Sequence, residues 1–553
     1  MYLGLDVGGS HTDAALLDEK FEVVKKAKAP TRANDVLPGL LEAMAAVLAG
    51  RAPAGVRRLS VSSTLGLNSI LTGQAEAVGV LATGGPGLSP AFFSGELPLE
   101  ELDGAQNHLG ETLSSPSEEE AASAARRLLQ RGVRAFAVIS KFGPKNPALE
   151  ELMAAGVTRA APRAPLTLAS RLSGRLNFPR RLNTAVFNSA IAGLFADFAE
   201  KLAAAAVGLG LNCPIFLLTA AGGATPLAAA ADRPVTLIAA GPSASLLGVW
   251  AMSGGETGDS LMLDVGGTST DIAVMADGRP LMTGEGLTLA GKPTLVRALL
   301  TSSIAVGGDS ALSVSPGAVA VGPEREGPAL ALKPEDLGRR RPTLTDALNV
   351  LKLADVGDGS VSRLALAQAA AGRPPEEAAG LALAAATSKI KAAADELMAY
   401  VNSRPVYTVD EMLLGRRARP VRADLVGGPA EALAAPLSEA FGFAVKAAPE
   451  AEVAGAVGAA RARPMLEAEL YADTGAKLMT IPSLGLRKRI DAAYDPQKAG
   501  ADLLAALKEA LADLPEALPP RLTSSETFQT LEGYGRHGRI MRLTAQAAPG
   551  VLR

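Results

Sequence analysis

The first fifty residues alternate between short apolar runs and polar turns, a pattern that predicts three strands followed by a helix. Glycines or charged residues separate the apolar runs, as in β-hairpins. The predicted elements are strands at Tyr2 to Asp6, Ala14 to Leu17 and Phe21 to Val24, and a helix from Asp35 to Leu48 that Asn34 or Asp35 caps.

Apolar strands and helical stretches then alternate along most of the chain. The stretch from Ser117 to Arg131 has an acidic first turn and a basic end, which suits the helix dipole, and it leads into a strand. Alternation of this kind predicts an α/β architecture. The further predicted strands are residues 59–62, 77–82, 135–139, 215–218, 261–264 and 424–426, and the further helices are 180–207 and 374–402.

Two regions lack a clear period. Residues 306–341 are rich in glycine and proline, and we interpret them as loops over a functional face or as an inserted substructure. After Pro464 the pattern changes again, with a strand at Leu478 to Ile481 and a helix at Asp502 to Leu511. We expect the remaining Pro-, Ser- and Thr-rich end to be loosely structured.

Composition and charge narrow the class of protein. At roughly 150 residues per domain, 553 residues indicate three or four domains, or two large lobes with a tail. The net charge of −3 leaves no electrostatic footprint for nucleic acid. The lone cysteine, Cys213, excludes an intramolecular disulfide and is expected to be a buried core residue. Without a leader-like segment or an apolar run of about 18 residues, we expect a cytoplasmic protein with no membrane contact.

One acidic, glycine-rich motif occurs twice. LDVGGSHTDAALLD begins at Leu5, and LDVGGTSTDIAVMADG begins at Leu263. Both contain Asp-Val-Gly-Gly-x-x-Thr-Asp, followed by an apolar strand. A single acidic Gly-Gly turn also occurs in ordinary hairpins. Two copies between apolar strands favour a shared chemical role.

The residues of this motif suit a phosphate group. Paired glycines let backbone N–H groups approach an anion without a Cβ in the way, and neighbouring hydroxyl groups donate to phosphate oxygens. Asp6 and Asp264 stand at strand ends, where a bare carboxylate would repel a triphosphate, so a bridging Mg²⁺ is implied. The predicted phosphate contacts are Gly8, Gly9, Ser10, Thr12, Gly266, Gly267, Thr268, Ser269 and Thr270.

The duplicated hairpin is similar to those of the actin, heat-shock ATPase and sugar kinase superfamily. More specifically, the order of segments over roughly residues 1–465 resembles the hydantoinase A and 5-oxoprolinase family. The segments that carry this resemblance, besides the two hairpins, are VSSTLGLNSIL (61–71), VISKFGPKNPALEE (138–151), RRLNTAVFNSA (180–190), AAGGATPLAAAADRPVTLIAAGPSASLLG (220–248), AVGGDSALSV (305–314), VGPEREGPA (321–329), PTLTDALNVL (342–351), LVGGPAEALAAPLSEAFG (425–442) and AAPEAEVAGAVGAA (447–460).

The resemblance implies an α/β fold with two actin-like, ribonuclease-H-like lobes and a central nucleotide cleft, plus a small C-terminal region. ATP would bind between the lobes, with Gly427 and Gly428 against the adenosine. We expect a hydantoinase/oxoprolinase-like N-terminal lobe at residues 1–175, a hydantoinase A-like lobe at 176–464, and a region of unknown role at 465–553.

The resemblance also implies an ATP-dependent hydrolase that activates a cyclic amide, of the hydantoin or 5-oxoproline type, by phosphorylating its carbonyl oxygen. Asp6 and Asp264 are expected to hold Mg²⁺, and Asp13 or Asp271 to support a metal-bound water or merely to cap its hairpin. Three alternatives stay open: a small-molecule kinase, an ATP-using carboxylase subunit, and a non-metabolic ATPase switch or degenerate nucleotide-binding partner.

The sequence departs from the family pattern at residues that could contact the substrate. His11 replaces a residue that is usually aromatic, and Gly308 and Asp309 replace part of a longer glycine run. His11 and Asp309 are therefore candidates for substrate contact, with an exposed turn residue as the plain alternative for His11. The resemblance is compatible with a second, hydantoinase-B-like subunit and with a homo-oligomer, beside the small-molecule substrate.

Overall fold

A computed structural model gives the arrangement of most of the chain. It describes residues 1–32, 35–252, 258–315, 318–370, 372–403, 407–408, 417–514, 516–532 and 536–553. None of the helices in these ranges is both long and apolar enough to cross a membrane.

The N-terminal elements form a six-stranded sheet, a four-stranded sheet and a separate two-stranded hairpin, with helices packed on the sheets. The strands are β1 (Tyr2–Val7), β2 (His11–Leu17), β3 (Val23–Pro30), β4 (Arg58–Ser63), β5 (Val78–Thr83), β6 (Leu99–Leu102), β7 (Ala105–Gln106), β8 (Thr112–Ser114), β9 (Ala135–Ser140), β10 (Leu166–Leu168), β11 (Ile215–Leu218) and β12 (Ala224–Pro226). The helices are α1 (Leu37–Leu48), α2 (Leu65–Leu71), α3 (Ala91–Ser94), α4 (Glu118–Gln130), α5 (Ala148–Ala160), α6 (Ala169–Leu172), α7 (Phe178–Gly208), α8 (Leu227–Asp232) and α9 (Ala240–Met252).

The middle of the chain builds a second large sheet. Its strands and the small hairpins beside it are β13 (Ser260–Val265), β14 (Thr270–Ala276), β15 (Arg279–Met282), β16 (Thr288–Leu289), β17 (Lys292–Pro293), β18 (Thr301–Ile304), β19 (Ser310–Val314), β20 (Val319–Arg325), β21 (Tyr407–Thr408), β22 (Arg422–Val426) and β23 (Ala444–Ala447). The helices are α10 (Leu344–Val350), α11 (Gly359–Ala369), α12 (Pro375–Ser403), α13 (Ala430–Phe441) and α14 (Ala454–Arg461).

The C-terminal region forms an antiparallel sheet in the order β26–β25–β24–β28–β27, with one helix packed on it. The elements are β24 (Leu466–Asp473), β25 (Leu478–Ile481), β26 (Leu486–Arg489), α15 (Pro496–Ala510), β27 (Arg521–Glu532) and β28 (Arg536–Ala547). The expectation of a loosely structured end was wrong, because β27 and β28 pair as a long hairpin.

The two large sheets share one strand order. The first runs β3–β2–β1–β4–β11, and the second runs β15–β14–β13–β22–β23. In each, the first three strands are antiparallel neighbours and the last three are parallel neighbours. This repeated ribonuclease-H-like arrangement confirms the predicted α/β fold with two lobes. The first sheet includes β11, from beyond residue 175, and the three domain boundaries stay a prediction.

Several element boundaries differ from the sequence prediction for local reasons. Helix α7 begins at Phe178 rather than Arg180, because the Asn177 side chain accepts a hydrogen bond from the Arg180 N–H and caps it. Cys213 is half-buried rather than a core residue, since β11 begins only at Ile215, after a proline. The supposed loop region after residue 306 contains the paired strands β19 and β20.

Helix α1 begins at Leu37, two residues later than predicted. The Leu37 N–H donates to Asp35 Oδ1 at 3.1 Å, so Asp35 satisfies one free donor of the first turn. The other predicted cap, Asn34, lies outside the described residues.

The family-like segments around Glu150 and Arg181 form a buried ion pair inside the first lobe. The Glu150 carboxylate accepts hydrogen bonds from the backbone N–H groups of Ser140 and Ser170, at 3.0 and 2.8 Å. Arg181 Nη2 donates to the carbonyls of Ser140 and Lys141, at 2.8 and 2.7 Å. Both side chains are fully buried. Their contacts join β9 to α7, so these segments stabilise the lobe.

Helices α9 and α14 cross in close contact between the two lobes. A Cβ built at Gly248 would lie 2.0 Å from the Ala454 carbonyl oxygen, and one at Gly458 would lie 1.9 Å from the Ala244 carbonyl oxygen. Helix α14 also packs on β1 of the first sheet, where a Cβ at Gly4 would lie 1.9 Å from the Ala456 carbonyl oxygen. Because glycines allow this approach, the crossing fixes how the lobes meet.

We predict that Gly458→Ala destabilises the protein by about 1–3 kcal/mol, because the added methyl group forces two helix backbones apart. The measurement is the free energy of unfolding in urea. Gly380→Ala is the matched control, since Gly380 lies inside α12 with no atom within 4 Å of its built Cβ. That variant should gain about 0.5–1 kcal/mol. Equal stability changes in the two variants would contradict the close crossing.

Candidate active site

The two copies of the motif fold as hairpins with the same turn geometry. In the first, the Gly8 N–H donates to the His11 carbonyl at 3.0 Å, and in the second the Gly266 N–H donates to the Ser269 carbonyl at 2.9 Å. Each turn therefore closes with one backbone bond across two intervening residues. The structure places equivalent residues of the two copies in equivalent positions.

The middle of each turn leaves backbone donors unused. Among the described residues, no hydrogen bond takes up the backbone N–H groups of Gly9 and Ser10 or of Gly267 and Thr268. Gly9 and Thr268 are exposed, and Ser10 and Gly267 are partly exposed. Free adjacent N–H groups in a glycine turn can bind an anion such as a phosphate.

The threonines of the motif, unlike the residues in the middle of each turn, are not accessible to a ligand. Thr12 and Thr270 are both fully buried. The Thr12 hydroxyl lies 2.9 Å from the Thr31 hydroxyl, and the Thr270 hydroxyl donates to the Val306 carbonyl at 2.6 Å. Both side chains thus hold their hairpins to neighbouring segments, and Ser10, Thr268 and Ser269 are the hydroxyl groups left on the accessible side.

Four aspartates lie in two facing pairs. Strand register sets Asp6 opposite Asp13 in the first hairpin and Asp264 opposite Asp271 in the second. Burial and the Asp13 carboxylate raise the pKa of Asp6 to about 7, with a further contribution from Asp264. Burial and the Asp264 carboxylate raise the pKa of Asp271 to about 7. The hairpins are therefore near enough for their carboxylates to repel each other.

Lys28 is the nearby cation that sequence analysis missed. Its ammonium group lies 3.1 Å from Asp13 Oδ1 and lowers the pKa of that carboxyl, while burial acts more strongly and raises it to about 6. Register alone could have found this residue, because β2 and β3 pair as a hairpin that sets Asp13 opposite Lys28. One lysine cannot neutralise four carboxylates, so the site favours a further cation.

The first pair fits a divalent cation in one specific respect. Asp6 Oδ1 is buried and accepts no hydrogen bond from the described residues. Within the same part of the chain, no three acidic, histidine or cysteine side chains are grouped as a ready metal cage. Mg²⁺ commonly binds through one or two carboxylates, waters and substrate phosphates, which requires no such cage.

Helices α9 and α14 each lie close to one of the four aspartates, α9 to Asp264 and α14 to Asp6. The Ser245 hydroxyl of α9 lies near enough to the Asp264 carboxylate to lower its pKa, against the larger opposite effect of burial. On the other side, a Cβ built at Gly455 of α14 would lie 2.0 Å from Asp6 Oδ2. These contacts tie the carboxylates to the helix crossing. Sequence analysis missed both residues, because neither lies near an aspartate in the chain.

The segment 307–309 docks on the turn of the second hairpin. The Gly308 N–H donates to the Gly266 carbonyl at 2.9 Å, and the Asp309 N–H donates to the Gly267 carbonyl at 2.6 Å. Asp309 also forms an ion pair with Arg325, 3.1 Å away. The glycine-rich departure from the family pattern is therefore hydrogen-bonded to the turn of the second hairpin, and Asp309 is not a free carboxylate.

His11 and Asp309 face each other from opposite lobes. Partial burial and the Lys28 charge lower the pKa of His11, while the negative charge of Asp309 opposes that shift. The imidazole itself is largely exposed. The structure brings these two predicted residues together at the edge of the cleft. Their contact with a substrate stays a prediction.

Gly427 and Gly428 form a turn directly beside the second hairpin. Gly427 has φ of +95°, and a built Cβ would lie 2.1 Å from the Val265 carbonyl oxygen and 2.9 Å from Asp264 Oδ1. Gly428 is exposed, and no atom lies within 4 Å of its built Cβ. Gly427 is thus required for packing, while Gly428 borders open space at the start of α13.

These features define the class of protein. Two ribonuclease-H-like lobes that face each other with paired acidic, glycine-rich hairpins form an actin-like fold. The family model for hydantoinase/oxoprolinase matches residues 181–468, and the model for the hydantoinase/oxoprolinase N-terminal region matches residues 2–160. The chain belongs to the hydantoinase/oxoprolinase family.

Individual relatives are distant. An uncharacterised protein of Methanocaldococcus jannaschii is 23% identical over 398 residues, which cover 66% of this chain and 58% of that relative. A nucleotide-free acetone carboxylase structure is 17% identical with a TM-score of 0.72, covering 100% of this chain and 88% of the other. The ATP-dependent caprolactamase from Pseudomonas jessenii is 17% identical with a TM-score of 0.70, covering 99% and 87%. At this identity the two structures establish the fold.

We predict that the free protein loses stability as pH rises from 4 to 8. Asp6 and Asp271 have pKa values near 7 when folded and about 3.9 in an unfolded chain. Between these values the folded state binds more protons, so the free energy of unfolding falls with pH. Asp271→Asn should therefore raise the melting temperature at pH 8 by roughly 2–4 °C and have little effect at pH 4.

The exposed Asp197→Asn serves as the control for this prediction, because Asp197 only pairs with Lys201 on the surface of α7. Differential scanning calorimetry at both pH values provides the measurement. A lower melting temperature for Asp271→Asn at pH 8 would show that its carboxylate stabilises the free protein, contrary to the predicted repulsion.

Proposed function

We propose that this protein is an ATP-dependent enzyme that activates the carbonyl group of a cyclic amide, of the hydantoin or 5-oxoproline type, for hydrolysis. The observation that carries the proposal is the facing pair of hairpins, each with unused backbone N–H groups beside crowded carboxylates. Unused donors suit phosphate oxygens, and the surplus negative charge suits a metal ion.

The proposed division of labour follows the position of each group. The turns around Gly9 and Gly267 would hold the phosphates through backbone donors, with Ser10, Thr268 and Ser269 adding hydroxyl groups. Asp6 and Asp264 would hold Mg²⁺, which would neutralise charge on the phosphates. Gly428 would lie against the adenosine, because it borders open space beside the second hairpin.

Phosphorylation addresses the main difficulty of amide hydrolysis, which is the resonance stability of the carbonyl. In the proposed reaction the amide oxygen attacks the γ-phosphorus of ATP, the bond to the β-phosphate oxygen breaks, and ADP leaves. Water then adds to the carbon of the imidate phosphate. The C–N bond of this adduct then breaks and the nitrogen takes a proton, which opens the ring and leaves an acyl phosphate. A second water hydrolyses the acyl phosphate and releases phosphate and the free carboxylate. Asp13 or Asp271 would hold the proton of the attacking water, because both carboxyl groups have raised pKa values.

The relatives support ATP use without fixing the substrate. Acetone carboxylase and caprolactamase are both named as ATP-dependent, and one acts on a ketone by its name. Ketone activation before carboxylation is therefore the second candidate function. A second subunit of hydantoinase B type would be compatible with either activity.

We predict that cyclic amides stimulate phosphate release from Mg·ATP by the purified protein. The substrates are hydantoin, N-methylhydantoin, 5-oxoproline and caprolactam, with acetone plus bicarbonate as the test of the second candidate. Asp264→Asn should lower the stimulated rate at least a hundredfold, because it removes a proposed metal ligand next to the transferred group. Asp197→Asn on α7 should leave the rate unchanged.

The outcomes separate the candidates. Ring opening with stoichiometric phosphate release supports the amide hydrolase, and bicarbonate-dependent release with acetone supports the carboxylase. A stable phosphorylated product would identify a kinase instead. Full activity in Asp264→Asn would contradict the proposed role of the paired hairpins.

A further inference from the structure

A cavity of about 530 Å³ lies against the C-terminal sheet, and the phosphate hairpins do not line it. Strands β24, β27 and β28 form one wall. Residues 174–177 before α7, residues 283–284 after β15, and Arg297 form the other. The volume falls within the range of small-molecule sites, about 300–1,000 Å³. The C-terminal region, whose role sequence analysis left open, thus forms one wall of this cavity.

Three arginines line this cavity, and two of them are already paired. Arg175 Nε lies 3.0 Å from Glu469 Oε1, and Arg297 forms an ion pair with Glu467. Arg542 differs, because its side chain makes neither an ion pair nor a hydrogen bond with any described residue, and its Nε is buried. A guanidinium group that is partly withdrawn from water without an acceptor is costly, unless a ligand supplies one.

Strand register places a row of polar side chains around Arg542. On β28 it lies directly between Tyr471 of β24 and Glu526 of β27. Directly opposite side chains share one face of a sheet. Two residues along the same strand, Thr544 lies directly opposite Ser524. Hydroxyl groups therefore flank the guanidinium on the face that lines the cavity.

The acidic groups near Arg542 differ in their availability. Asp473 accepts hydrogen bonds from the Gly475 and Ala476 N–H groups, and the Tyr471 hydroxyl lies 3.4 Å from its other oxygen. Glu526 is exposed and forms no ion pair in the described part of the chain, so it is the one carboxylate of this row that can compete for Arg542.

The ring of Phe528 lies under the Arg542 guanidinium, with 5.9 Å between the guanidinium carbon and the ring centroid. Stacking on an aromatic ring leaves the edge of the guanidinium plane free to donate. Parallel N–H groups on that edge match the two oxygens of a carboxylate. Both the orientation of the charge and the adjacent hydroxyl groups favour a planar anion.

We propose that this cavity is a binding site for a small organic acid, whose carboxylate Arg542 holds with the Ser524 and Thr544 hydroxyl groups beside it. The site lies on the C-terminal sheet and needs neither nucleotide nor the proposed amide chemistry. The cavity volume of about 530 Å³ leaves room beside the guanidinium for the carbon chain of such an acid.

The test is isothermal titration calorimetry of the full-length protein without nucleotide. Glutarate is the main probe, and acetate and inorganic phosphate are the comparison probes. We predict that glutarate binds one site per chain and that Arg542→Gln weakens its affinity at least tenfold. Arg542→Lys should have an intermediate effect, because the lysine ammonium keeps the positive charge but lacks the parallel N–H groups of the guanidinium. Glu526→Gln should tighten binding, since it removes the competing carboxylate.

Arg489→Gln on the exposed strand β26 is the matched control, and it should bind glutarate like the wild type. Ser524→Ala is a milder change in the same site and provides a second test if the arginine variants misfold. Thermal unfolding shows whether each variant is folded. Absence of glutarate binding, equal affinity in Arg542→Gln, or binding of phosphate without binding of either carboxylate would overturn the proposal.

Discussion

Electrostatic repulsion among four partly buried aspartates is the constraint on which the rest of the site depends. The register of two hairpins sets Asp6 against Asp13 and Asp264 against Asp271, and the lobes bring the two pairs together. Lys28 offsets only part of this charge. Raised pKa values are the direct result, and perturbed carboxyl groups of this kind are typical of functional sites. In the proposed function a bound cation would relieve the repulsion, and the free amide groups of the two turns would bind the phosphates.

Backbone packing keeps these charges at their positions. Helices α9 and α14 cross through glycine contacts too close for a Cβ, and the same helices contact Asp264 and Asp6 through Ser245 and Gly455. The crossing therefore connects the two lobes and orients one carboxylate of each. A change in the angle between the lobes would move both aspartates, so the distance between the two glycine turns depends on this helix pair.

Much of the fold and the two hairpins of the candidate site could be predicted from the sequence, because both are local. The repeated Asp-Val-Gly-Gly motif directly determines its own turn, and apolar periodicity located most strands around it. The remainder depends on contacts distant in the chain. Nothing near Thr12 or Thr270 indicates that their hydroxyl groups are used by Thr31 and Val306. The pairing of β27 with β28 was missed, since Ser- and Thr-rich strands resemble loops when their partner is unknown.

The central claim is that the two hairpins together hold one Mg·nucleotide complex. Calorimetric titration with a non-hydrolysable ATP analogue, with and without Mg²⁺, tests it most directly. The account predicts one analogue per chain, affinity that depends on Mg²⁺, and much weaker binding in Asp6→Asn, because Asp6 Oδ1 is a buried acceptor that no described residue uses. Absence of binding, or binding that neither Mg²⁺ nor Asp6→Asn affects, would contradict it.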